Sequence, residues 1–244
     1  MSNIKELMIN VVEISKKILG RLLTMGYEKS GSSNSEQLIF PNKIQAKVDK
    51  RRVSEQELRL LFIEEFKAIK SKLFYSIETP TIGKYKFGKS YEDIRVDENG
   101  QSALLDMCIF ERNIDKYERI LNIEFKHQNA PIKNIGKDIL KLINEKGNGA
   151  FIHLLNNTDR GTLCNNNKTG VLNKIYKSFI DFEGSWNNET KTIQLIIISL
   201  KQETLIHHTI TNTDLNNLKE IFFEDCGNIE EIVGNGWNVE IIKT

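Results

Sequence analysis

Two acids and an amine stand in neighbouring apolar runs. Asp106 interrupts the run from Ala103 to Phe110, and Glu124-Phe125-Lys126 closes the run that begins at Ile120. Two apolar runs joined by a short polar link predict adjacent strands that bring Asp106, Glu124 and Lys126 to one spot. An acid inside an apolar run is costly to bury unless a cation partners it. Carboxylates beside an ammonium are the residue types that hold hard cations and offset charge on an anionic group. Residues two apart in a strand share a face, so Glu124, Lys126 and Gln128 point together and His127 points away. His127 is therefore expected to be structural.

The Glu-x-Lys triplet has little weight by itself. It recurs as Glu65-Phe66-Lys67 and Glu189-Thr190-Lys191. The first falls in a helical stretch, where residues two apart do not face each other. The second falls in a polar turn. Only Glu124-Phe125-Lys126 ends an apolar strand, follows an Asp-bearing strand and precedes an amphipathic helix.

The neighbouring segments must position that spot. Ser54-Glu55-Gln56-Glu57 fits a capping box and opens a helix to about Lys72, with Leu58, Leu61, Phe62, Phe66 and Ile69 on its buried face. Helical phase puts Glu55 and Glu65 on that same face, and Glu57 and Glu64 off it. Glu57 is a cap, whereas Glu55 lacks a partner. Leu73 to Ile77 and Tyr85 to Phe87 read as short strands joined by a turn at Pro80 and Gly83, followed by a polar loop, Ser90 to Gly100. Ile132 to Glu145 reads as a helix with Lys133, Lys137 and Lys141 striped along one face. Ala150 to Leu155 is a strand following that helix, so a parallel crossover is expected. A long polar loop (156–170), a helix (Val171 to Phe182), paired strands (Ile193 to Leu200, Thr204 to Ile210), a helix capped by Thr213 and a last strand (Trp237 to Ile242) complete a mixed α/β pattern.

The chain has 244 residues, 39% hydrophobic and 27% charged, with 34 Lys and Arg against 33 Asp and Glu. That size supports a buried core, and the balance excludes a polybasic nucleic-acid binder, so a basic footprint must be local. Lys43 to Arg52 is one such local cluster. Cys108, Cys164 and Cys226 are isolated, which argues against a disulfide framework and a structural zinc site. No signal peptide or membrane span is visible, so a cytoplasmic setting is expected. Ile4 to Met25 forms one apolar stripe, read as a helical extension. Residues 1–45 are expected to be that helix and a connection. Residues 46–244 are expected to form one domain, with core 54–155 and elaboration 156–244.

The order of helix with Glu, strand, strand with Asp, strand with Glu-x-Lys, helix and strand resembles the PD-(D/E)xK nuclease superfamily. Leu105 stands where the name-giving proline would be. The resemblance implies a restriction-endonuclease-like fold, a mixed central sheet flanked by helices. It implies a Mg²⁺- or Mn²⁺-dependent phosphodiesterase acting on DNA, with RNA the open alternative, in bacterial or phage defence or restriction. Its implied site is Asp106, Glu124, Lys126 and Glu55, with Glu65 in reserve, and the ion held by Asp106, Glu124 and the Phe125 backbone carbonyl. Lys126 would orient or deprotonate the attacking water, aided by a pKa that desolvation lowers. Gln128, Lys133, Lys137 and Lys141 are candidate nucleic-acid contacts, and a homodimer is a family expectation. The alternative is an inactive nucleic-acid-binding or interaction protein on the same fold. His207 and His208 are adjacent on a strand and point opposite ways, so a shared metal is not expected.

Overall fold

A computed structural model describes residues 2–28, 37–42, 52–69, 72–159, 161–186, 190–222 and 236–242, with side chains described from residue 11 onward. The Lys43 to Arg52 cluster, apart from Arg52, falls outside these residues, as does Cys226.

The protein is α/β, with one eight-stranded mixed sheet between two helical layers. In chain order the strands are β1 (Phe74–Phe87), β2 (Ile94–Val96), β3 (Gln101–Arg112), β4 (Tyr117–His127), β5 (Asn148–Leu155), β6 (Thr192–Ser199), β7 (Thr204–Thr211) and β8 (Asn238–Ile241). They lie side by side as β2-β1-β3-β4-β5-β6-β7-β8. The central β4–β5 and β5–β6 pairs are parallel, and the flanking pairs are antiparallel. The parallel steps are bridged by helices α3 (Ile132–Asn144) and α4 (Val171–Phe182), which pack on one face. Helices α1 (Ser2–Thr24) and α2 (Glu55–Ala68) cover the other. A short helix, α5 (Leu218–Ile221), precedes β8.

The central strands are apolar on both faces because both are covered. In β4, Leu121, Ile123 and Phe125 pack toward α2, while Asn122 and Glu124 are buried on the α3 side. The two-residue alternation slips in β3. Leu105 packs in the α3 layer, yet Met107, two residues on, packs in the α2 layer. The slip falls at Asp106. There the paired register of β3 with β4, which runs from Arg112↔Tyr117 to Met107↔Ile123, stops. The sheet opens at the residue that bears the acid.

Several segments differ from the sequence reading. The two short strands expected around Pro80 are one 14-residue strand, β1, whose register against β3 shifts between Pro80 and Lys84. The irregularity absorbs the turn-forming residues without breaking the strand. The loop after it contains the edge strand β2. The late helix is capped by Thr211 with Asp214, not by Thr213, and begins as a 3₁₀ turn. The first helix is no appendage: Val11, Ile14, Ile18 and Leu22 are fully or almost fully buried against α2 and the sheet. Its stripe continues the layer that α2 starts. Cys108 is a buried free thiol, whereas Cys164 is disulfide-bonded, against expectation. Among the described residues no helix is long and apolar enough to cross a membrane.

One ionic clamp fixes the far end of α3. Glu145, just past the helix, accepts from the Ile82 and Gly83 amides at 2.9 and 2.8 Å, the Tyr85 hydroxyl at 2.8 Å and Arg119 at 3.0 Å. A Cβ at Gly83 would lie 2.5 Å from Asn144 Nδ2 and 3.1 Å from Glu145 Oε1, so a larger residue would displace these side chains. Glu145→Ala leaves Arg119 and two amides without their acceptor. It is expected to cost about 3–5 kcal/mol, read from the urea midpoint.

Candidate active site

Asp106, Glu124, Lys126 and Glu55 all lie around the point where β3 and β4 part. Asp106 Oδ2 accepts the Phe125 amide at 2.8 Å, so the carboxylate replaces the ladder bond that the parting strands lose. Its Oδ1 lies 4.0 Å from Arg59 of α2. Arg59 also donates to Glu78 of β1 at 2.6 Å and to Gln56 at 2.7 Å. Glu78 stands opposite Asp106 in the β1–β3 register and has a left-handed φ of 48°. Glu55, Gln56, Arg59, Glu78, Asp106 and Phe125 line a small cleft of about 70 Å³.

Glu55 is placed by its helix start. The Ser54 capping box forms with Glu57 as the sequence predicts, so the first turn of α2 is fixed and Glu55 projects toward β4. Its Oε1 lies 3.7 Å from Lys126 Nζ. Glu65 points elsewhere, pairing with Arg21 of α1 at 3.1 Å. Helical phase left both open, and the packing of α1 separates them.

Glu124 and Lys126 face α3, and each meets a residue of that helix. Lys141 Nζ lies 2.5 Å from Glu124 Oε1, 3.1 Å from Asp138 Oδ1 and 2.8 Å from the Leu104 carbonyl. Lys126 Nζ lies 2.7 Å from Asp138 Oδ2. Asp138 therefore bridges two lysines, and the cluster runs Glu124–Lys141–Asp138–Lys126–Glu55. Burial is nearly complete at Glu124, whose side chain is 1% exposed, and partial at Glu55, at 41%.

Burial, then the Asp138 charge, holds the Glu124 carboxyl above the usual carboxylate range, and Lys141 pulls it back. Burial also raises Glu55, against the attraction of Lys126. Burial, the largest single effect, would lower Lys126, but Asp138, Glu55 and Glu124 together outweigh it, so Lys126 is held above the ordinary lysine value. The lowered lysine expected from desolvation is reversed by neighbours, first among them Asp138, which the sequence reading did not include.

Five carboxyl groups, Glu55, Glu78, Asp106, Glu124 and Asp138, share the cluster with Arg59, Lys126 and Lys141. Among the described residues no three His, Cys, Asp or Glu side chains converge closely enough to hold a metal ion as they stand. Two carboxylates, Asp106 and Glu124, suffice in kind for Mg²⁺, which keeps water and substrate oxygens among its ligands. The donors fit a hard cation, with Glu124 engaged by Lys141.

The expected lysine stripe is not one solvated face. Lys133 donates to the Gly88 and Lys89 carbonyls at 2.5 and 2.8 Å, and Lys137 sits over the Phe87 ring at 5.2 Å. Lys141 is buried in the cluster. Gln128 is exposed at the end of β4, with a left-handed φ of 57°. Asp138 is the residue that sequence reasoning missed, and Lys141, expected as a nucleic-acid contact, instead pairs with Glu124 and Asp138. A signal existed: Asp138 lies three residues after Ile135 and four before Leu142, on the buried phase of its helix, the test that had singled out Glu55.

Beneath the site, His153 of β5 stands beside Lys126 in register, fully buried, with Nε2 2.5 Å from the Gln128 carbonyl. Burial takes its pKa down to about 3. The unfolded chain protonates this histidine below about pH 6.5 while the folded one stays neutral, so stability falls as pH falls from there toward 3. The slope is about 1.4 kcal/mol per pH unit for one proton. His153→Gln is expected to flatten that part of the stability–pH curve, measured by urea titration at stepped pH.

Comparison of the chain with models of protein families, with curated proteins and with solved structures finds no match.

Proposed function

We propose that this protein is a metal-dependent nuclease that hydrolyses phosphodiester bonds, acting on DNA. One observation carries the reading. Asp106 on β3 accepts the amide of Phe125, the residue between Glu124 and Lys126 on β4, at the point where the two strands part, and Glu55 reaches Lys126 from the start of α2. Both the element order and the residue types are those the PD-(D/E)xK resemblance requires. Asp106 and Glu124, with the Phe125 carbonyl, would hold Mg²⁺ or Mn²⁺. When bound, the ion supplies Lewis-acid polarisation of the phosphoryl group and a more acidic water.

In hydrolysis a water oxygen bonds to phosphorus and the ester P–O bond to the leaving sugar oxygen breaks. Lys126, kept charged by Asp138, donates hydrogen bonds to the phosphate or the attacking water and offsets the charge that builds on phosphorus. A charged lysine donates and does not abstract, so in this arrangement Lys126 orients the water. Gln128, exposed just past the end of β4, would touch substrate. A restriction or defence role and a homodimer follow from the resemblance alone.

A second reading has an observation of its own. Glu124 and Lys126 both already have ion-pair partners on α3, which suits a non-catalytic protein of the same fold that binds nucleic acid. A substrate panel separates the two. Supercoiled DNA, linear duplex, single-stranded DNA and RNA are each incubated with Mg²⁺, with Mn²⁺ and with EDTA. Metal-dependent products from DNA support the nuclease, and products from RNA alone correct its substrate. Binding with no product under any metal supports the second reading.

A further inference from the structure

We infer that Lys141 is a built-in counter-ion for Glu124, and that a divalent cation binds by displacing its ammonium from that carboxylate. The inference rests on the nuclease reading for the identity of the incoming ion. It stands on geometry for the residue displaced.

Lys141 Nζ is held by oxygens only: Glu124 Oε1 at 2.5 Å, Asp138 Oδ1 at 3.1 Å and the Leu104 carbonyl at 2.8 Å. Two carboxylates and a backbone carbonyl are the ligand types that hard metal ions select. The ammonium thus occupies a cation's surroundings, with 8% of its side chain exposed. Glu124 explains why something must sit there. A carboxylate with 1% exposure is costly to bury unless a cation sits against it. Lys141 is the cation placed against that carboxylate.

The same geometry gives the ammonium somewhere to go. Asp138 is three residues before Lys141 on α3 and holds it independently of Glu124. A lysine is a point charge on a flexible four-carbon stem, so it can let go of Glu124 while keeping Asp138. Asp138 also holds Lys126 through its other oxygen. Release of Glu124 therefore increases the demand that Lys141 makes on Asp138, and so loosens the hold of Asp138 on Lys126.

The test is calorimetric titration of Mn²⁺ into the full chain, with thermal unfolding measured with and without the ion. Lys141→Gln keeps a hydrogen-bond donor near Glu124 but removes the competing charge. It is expected to bind Mn²⁺ about tenfold more tightly than the wild type, and to gain more thermal stability from the ion. Lys137→Met is the control for long-range charge. It removes the same charge from the same helix, from a side chain whose partner is the Phe87 ring, and its Mn²⁺ affinity should stay at the wild-type value. Lys141→Arg keeps the charge and should not tighten binding. Should Lys141→Gln fail to fold without ion, Lys141→Arg against wild type carries the comparison, and tighter binding by the arginine variant overturns the inference. Wild-type affinity in Lys141→Gln, or equal tightening in Lys137→Met, also overturns it while leaving the nuclease reading intact. No Mn²⁺ binding by any of these proteins overturns both.

Discussion

Lys126→Met is expected to keep the fold and to lower cleavage by about 10²–10³-fold in kcat, the loss typical of one donor aimed at developing charge. The reason lies in how little else the lysine does. Its side chain is 13% exposed at the site, and its partners are Asp138 at 2.7 Å and Glu55 at 3.7 Å. Asp138 keeps Lys141 when Lys126 is removed, and Glu55 is open enough to be solvated. The unfolding midpoint should therefore move little while the initial rate of DNA nicking collapses. Lys126→Arg tests the geometry separately. Arginine keeps the charge, but its planar fork pairs a carboxylate through two nitrogens, and Asp138 would draw it away from substrate. It is expected to recover only part of the rate. An unchanged nicking rate in Lys126→Met would remove Lys126 from the mechanism.

A large effect on stability is expected at Lys141. Lys141→Met removes the cation that meets Glu124 at 2.5 Å and leaves a carboxylate with 1% exposure facing a methionine. Breaking one side of a buried ion pair costs about 3–5 kcal/mol, because the remaining charge is uncompensated. Part of the cost is recoverable. Glu124→Gln with Lys141→Met removes both charges and should regain most of the loss, and the cycle through both single variants isolates the pair. Urea unfolding of the four proteins measures it, with slopes compared so that a change in compactness is not mistaken for a change in stability. If Lys141→Met alone is as stable as the wild type, Glu124 is protonated in the folded chain and Lys141 is not its counter-ion.

The strands and helices that position the cluster were legible in the sequence because hydrophobic period reports which faces are covered. The β3 and β4 runs, the amphipathic α3 and the capped start of α2 all carry strong local signals. The site was legible only along single elements. Asp106, Glu124 and Lys126 could be placed together because they sit on consecutive strands. Glu55 and Glu65 could not be separated, since both share one helical phase and only the packing of α1, through Arg21, takes Glu65 away. Asp138 escaped notice, and Lys141 was given the wrong role, for a related reason. The lysine spacing along that helix reads as a solvated stripe, and burial under the sheet is a tertiary fact. The length of β1 was hidden by Pro80 and Gly83, which signal a turn locally but here sit in a shifted register held by Glu145.

Asp106, Glu124 and Lys126 are proposed to form a metal-dependent phosphodiesterase site. Nicking of supercoiled plasmid DNA in Mg²⁺ by wild type, Asp106→Ala and Lys126→Ala, side by side and with EDTA controls, tests it most directly. The account predicts nicking by the wild type alone, abolished by EDTA and by either substitution, in variants whose unfolding shows them folded. Equal behaviour of all three proteins, whether every one cuts or none does, would contradict it.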